Sequence, residues 1–359
     1  MSSIPYYLIF LVPFSVIQGY VAGGVFNFST VVAVFGVIPL LDLLIGTSSK
    51  NPDPETIERI KDEFRFKVIT WLCALVQVGI VIWGAFIIAS GRLSLFEAFL
   101  FTLSMGTSSG VMGINVSHEL QHRVNNKLEP LLSRFMLWSV MYMHWAVEHV
   151  VGHHRNVATP DDPATARLGE SFYAFWPRTV LGGLASSWHI EKQRLIKKGG
   201  RAWSVENRFL KYALAELALV VAIRVFLGPA AVFYFLGQSL VAISLLEVVN
   251  YIEHYGLLRK QLPNGRFEPV NVTHSWNSSN ILTNIYLFNL QRHSHHHASP
   301  GSRYQILKHF NESPQLPTGY AGMILLAIVP SLWRKVMDGR VPRKTGSTPS
   351  MVTPQSATS

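Results

Sequence analysis

Residues 93–123 read LSLFEAFLFTLSMGTSSGVMGINVSHELQHR, and that order decides the fold. Residues 93–116 contain a single charged side chain, Glu97. That is long enough to cross a bilayer, which takes about 20 mostly apolar residues. His118 and His122 follow without a break. At this spacing the two side chains lie about 40° apart around a helix, on one face. Neutral imidazole is the commonest protein metal ligand. A membrane-length helix that ends in two imidazoles predicts a metal site at the mouth of a helical bundle.

Five further stretches reach membrane length, roughly 6–26, 28–46, 67–90, 208–228 and 229–252. The chain of 359 residues is 49% hydrophobic and 14% charged, well below the usual charged share of about 25%. No Lys or Arg lies between Met1 and Gln18, so the first stretch lacks the basic region of a signal peptide and is read as a span. The expected fold is all-α: six transmembrane helices under a mostly helical, histidine-rich cap, forming one catalytic domain over 1–340. The cap comprises two blocks, 117–207 and 253–340. Residues 341–359, rich in Ser, Thr, Pro and Gln, read as a disordered tail or as a linker to a second module.

Of the 31 Lys and Arg, only Arg92 and Arg224 fall on or near the side opposite the cap. The positive-inside rule therefore places both termini and the cap in the cytoplasm, at the cytoplasmic membrane. The same asymmetry accounts for the net charge of +10 without nucleic acid, and a basic face suits anionic lipid or an acidic protein. The single cysteine, Cys73, lies within a span and reads as a small hydrophobe. Within the cap, 135–154 reads as a helix, Leu262 to Arg266 as a β-hairpin turn, and Met323 to Pro330 as an apolar helix too short to span.

Nine of the 14 histidines form the candidate metal set: His118, His122, His149, His153, His154, His254, His293, His296 and His297. His118-Glu119-x-x-His122 also matches the signature of zinc proteases, with Glu119 as base. Seven further histidines in register favour a dinuclear centre. His149 and His153 pair at i,i+4, leaving His154 to reach a neighbouring ion. From His293, positions i+3 and i+4 return to the same face, whereas His295 points away. His254 ends the last span at the depth of the others. An all-imidazole centre is highly charged, and Glu119, Glu148, Asp161, Asp162 and Glu253 stand close enough in sequence to compensate. A metal carrier would need ionisable residues in mid-span, and these spans have almost none.

The chain resembles the membrane-bound alkane monooxygenases, within the integral-membrane histidine-box di-iron oxygenases. The resemblance rests on HELQHR (118–123), EHVVGHH (148–154), ATPDDPATAR (158–167), NYIEHYGL (250–257), THSWNSSN (273–280) and LQRHSHHHASPGSRYQ (290–305). Histidine boxes alone also fit desaturases and sterol-type hydroxylases. NYIEHYGL and LQRHS separate the alkane hydroxylases from these. The resemblance implies that the nine histidines bind two irons. It implies terminal hydroxylation of linear alkanes to primary alcohols with O2 and two electrons from rubredoxin, which is fed by an NAD(P)H-dependent reductase. Alkane would arrive from the lipid, through a channel between the fourth and sixth spans. Arg155, Lys197, Lys198, Arg201 and Arg303 are the basic residues available to dock the donor. One position departs from the family: His295 stands where it has Asp.

Overall fold

The computed structural model describes residues 2–342; most of the expected tail, from residue 343 onward, lies outside them. Among the described residues there are helices and three isolated β-bridges but no strands. Four helices are long and apolar enough to cross a membrane: Ile4–Ala22, Gly24–Ile45, Phe64–Ala89 and Pro229–His254. The other two expected spans are helical but built differently. Residues 95–121 run as three consecutive helical pieces, and Arg208–Leu227 carries Arg208, Lys211, Glu216 and Arg224. Leu44, Val225, Phe226 and Phe233 point outward, an apolar surface suited to lipid rather than water.

Residues 95–121 start at a capping box. Ser94 accepts from the Glu97 N–H, and the Glu97 carboxylate accepts from the Ser94 N–H. The free oxygen of Glu97 accepts from the Gly24 N–H at 2.8 Å, tying this start to the turn between the first two helices. Further along, Gly106 and Gly110 form a bare face. A Cβ on Gly106 would lie 2.5 Å from Val241, and one on Gly110 would lie 2.9 Å from Leu245. The i,i+4 glycines thus let the Pro229–His254 helix lie directly against this one. The two helices that carry His118 and His254 are in contact well before they reach those histidines.

The cap differs from expectation within 135–154. The Leu128–Trp138 helix stops, Met141 takes a φ of 53°, and helix resumes at Trp145. The Met143 N–H donates to the Glu216 carboxylate at 2.7 Å instead of to a helical carbonyl. The hairpin turn is present: the Leu262 N–H donates to the Arg266 carbonyl at 2.7 Å, and Gln261 bridges Phe267. The short apolar stretch is the Tyr320–Ala327 helix, packed with Tyr251, Trp276 and Trp333 against the end of the Pro229–His254 helix.

Candidate metal centre

Three local features, together with the end of the Pro229–His254 helix that carries His254, bring the nine histidines together. Residues 95–122 carry His118 and His122 past a π-turn at Ser109–Ile114. A second π-turn, Glu148–His153, carries the middle set. The third set lies on the short His293–Ala298 helix, fixed by the segment 273–280. There Asn277 accepts from the Ser294 N–H at 2.8 Å and donates to the Ser294 hydroxyl, while Trp276 donates to the Tyr255 carbonyl. Arg123 donates to the carbonyls of Gly301 and Ser302, joining the first set to the chain just beyond the third.

The side chains converge on two points. His118, His122, His149, His154 and His296 form one group, and His153, His254, His293 and His297 the other. Within each group the ligand atoms lie within 4.8 Å of one another. This division corrects the assumption that His149 and His153 share an ion while His154 reaches the next. A π-turn bonds i to i+5 rather than i+4, which keeps His149 with His154 and turns His153 away. His296 and His297, adjacent in sequence, also part.

Neighbouring Nε2 atoms approach each other closely: His122 and His154 lie 3.1 and 3.0 Å from His149, His296 lies 3.1 Å from His154, and His297 lies 2.9 Å from His293. Two nitrogens bound to one ion at about 2.0–2.1 Å are themselves about 2.9–3.4 Å apart, so the spacing suits a metal in each group. Burial, reinforced by neighbouring imidazoles, holds the pKa values of His149, His154, His296 and His297 well below the usual histidine range. Those rings are therefore neutral near pH 7, the form that ligates.

The five expected carboxylates have separate fates. Asp162 lies 2.9 Å from the His153 Nδ1 and accepts from the Thr165 hydroxyl. Burial opposes its charge, but His153 more than offsets this and its pKa falls. Glu148 accepts from the Ser186 hydroxyl, and burial, followed by the Asp162 charge, pushes its pKa up to about 8. Glu253 lies 3.1 Å from the His293 Nε2 and accepts from the Tyr320 hydroxyl at 2.7 Å. Glu119 turns instead to Arg123, 2.7 Å away, and so does not stand as the base of a protease. Asp161 is exposed and makes no hydrogen bond to either group, which removes it from the expected set. His295 stands apart as expected: its Nδ1 accepts from the Lys308 N–H at 3.0 Å and its ring packs on Phe310.

Beneath the histidines lies an apolar cavity of about 80 Å³. His118 and His149 of one group reach it, as do His293 of the other and Glu253. Its walls include Val34, Ile38, Val111, Leu245, Val249 and Ile324. They come from the second, fourth and sixth helices and from Tyr320–Ala327, so the cavity is broader than a channel between the fourth and sixth alone. Asn115 and Asn250 also line it and were not anticipated. Their signal was available: Asn115 lies three residues before His118 in an apolar run, and Asn250 four before His254. Among the basic residues, Arg155, Lys197, Lys198 and Arg201 are exposed. Arg303 is held by both oxygens of Glu129, which takes it off the docking surface.

Residues 93–327 match the Fatty acid desaturase family. Alkane 1-monooxygenase 1 of Pseudomonas aeruginosa is 43% identical over 322 residues, covering 88% of this chain and 82% of that protein. Alkane 1-monooxygenase of Acinetobacter baylyi is 40% identical, covering 85% and 74%. The xylene/toluene monooxygenase hydroxylase component of Pseudomonas putida is 27% identical, covering 93% and 87%.

Proposed function

The chain belongs to the alkane 1-monooxygenases of the fatty acid desaturase family, and on that footing we propose that it hydroxylates the terminal methyl of linear alkanes to give primary alcohols. The reaction joins one oxygen atom of O2 to the methyl carbon. The other leaves as water, with two electrons and two protons supplied. The observation that carries this reading is the apolar cavity with histidines of both groups at one end.

The nine histidines would hold two irons, the group of five one and the group of four the other. When bound, the irons supply the activation of O2. The chain supplies position and surroundings. Terminal C–H bonds are the strongest in an alkane, so selectivity for the chain end must come from how the substrate is held. The apolar walls hold the alkane and leave its end at His118, His149 and His293. Asp162 fixes the ring of His153, and Glu253, held by Tyr320, places a carboxyl group beside His293.

Alkane reaches the cavity from the lipid of the cytoplasmic membrane, with the cap on the cytoplasmic side. Electrons come from rubredoxin, reduced by an NAD(P)H-dependent reductase and docked on exposed basic residues such as Arg155, Lys197, Lys198 and Arg201. The test is reconstitution of the purified chain with iron, rubredoxin, its reductase and NADH on a ladder of linear alkanes. Primary alcohols that appear only with the complete donor system support the reading. Oxidation mainly at internal carbons, or turnover without a donor protein, would remove it.

A further inference from the structure

The polar groups that line the cavity outside the histidines are mostly engaged. Asn250 donates to Glu247 at 3.1 Å, Thr283 donates to Asp42, and Tyr320 donates to Glu253. Asn115 differs. It is 7% exposed, it lines the cavity, and neither its amide oxygen nor its amide nitrogen has a hydrogen-bond partner. A buried amide without a partner is costly, and native structures seldom leave one without a compensating ligand or water.

The position of Asn115 identifies the missing partner. It precedes His118 by three residues on the Asn115–Gln121 helix, so it shares that face about 4.5 Å back along the axis. An alkane offers such an amide nothing. A hydroxyl can both donate to the amide oxygen and accept from the amide nitrogen, and the proposed reaction creates one hydroxyl at this end of the cavity. We infer that Asn115 is a binding residue for the hydroxyl of the primary alcohol product, so that the cavity holds product by a contact it cannot make to substrate. This rests on the reading of the cavity as the alkane site.

The test compares affinities of the full chain in lipid nanodiscs for a labelled primary alcohol and for the alkane of equal length, each corrected for partition into lipid. In Asn115→Leu the preference for alcohol over alkane should fall about fivefold, the effect of losing one neutral hydrogen bond. Asn115→Thr, which retains a hydroxyl in the cavity, should remain within about twofold of wild type. A general loosening of the cavity would weaken both ligands alike and leave the ratio unmoved. An unchanged ratio in Asn115→Leu overturns the inference, as does wild-type protein that binds alcohol no better than alkane. Turnover of the wild type on alkane is measured separately. Absence of alcohol formation would count against the proposed reaction, whereas the affinity ratio bears on Asn115 alone.

Discussion

Asp162 and His153 meet at 2.9 Å, Oδ2 to Nδ1, with both side chains buried. Among the described residues His153 is the one of the nine histidines with a carboxylate on Nδ1. That bond fixes which nitrogen carries the proton and leaves Nε2 free to face His254 and His297. Asp162→Asn should lower the affinity of the four-histidine group for metal by about 10–100-fold and spare the five-histidine group. Metal per chain after graded chelation reads this directly. Equal loss from both groups would mean that Asp162 serves the fold rather than this ligand.

Adjacent residues should control different ions. On the proposed two-iron assignment, His296→Ala should empty the five-histidine group and His297→Ala the four-histidine group, each taking the bound iron from two towards one per chain. Mössbauer spectra of the two variants should therefore retain different signals. His189 and His309, bonded to Gln193 and Asn311, are suitable controls, because replacing them should leave both signals in place. Identical spectra from the two ligand variants would contradict the division into groups.

Glu119 should matter for stability more than for chemistry. It forms a buried pair with Arg123, which also ties the first histidine set to the chain after the third. Breaking such a pair by removing one partner costs about 3–5 kcal/mol. Glu119→Ala should show that loss in thermal unfolding while the folded fraction still oxidises alkane. Complete inactivity of well-folded, metal-loaded Glu119→Ala would restore a role as base.

Bulk in the cavity wall should set the accepted chain length. Ala321 and Val34 line the cavity on helices that carry no ligand. Ala321→Phe or Val34→Phe should shift turnover towards shorter alkanes in graded steps, since one methylene of fit is worth about 1–3 kcal/mol. A ladder of alkanes assayed for primary alcohol would reveal the shift, and an unaltered ladder would place the substrate elsewhere.

Cys73 should be dispensable for electron supply. It is fully buried among Ile69, Met112 and Val116, where burial pushes no reactive thiolate into being. Cys73→Ala should keep donor-dependent turnover within a few-fold, with only a modest loss of stability for the smaller side chain. Abolished turnover in folded protein would show that the redox path runs through this span.

The apolar runs and the histidine spacings were legible because each is a local pattern. A membrane-length segment and an i,i+4 pair are visible without knowing what packs beside them. The division of ligands was not, because nothing in EHVVGHH announces a helix that widens by one residue per turn. The break at 139–144 depends on Glu216, some seventy residues away, capturing the Met143 N–H. Asp161 and Asp162 were equivalent in sequence, and the turn that closes on Thr165 sends only the second inward. Arg303 is paired with Glu129, a partner 174 positions away that no local pattern shows. Gly106 and Gly110 took their meaning only from the partner helix that packs on them.

That glycine face ties the metal centre to its surroundings. His118 and His254 hold station because their helices are clamped at Gly106 and Gly110, two to three turns deeper than the ligands. Helices adjust to a thicker or thinner hydrocarbon layer by tilting. A change of tilt about a clamp is smallest at the clamp and grows with distance from it, so the histidine ends would move more than the glycines do. Bilayer thickness thereby becomes a variable of the geometry in which the nine histidines meet.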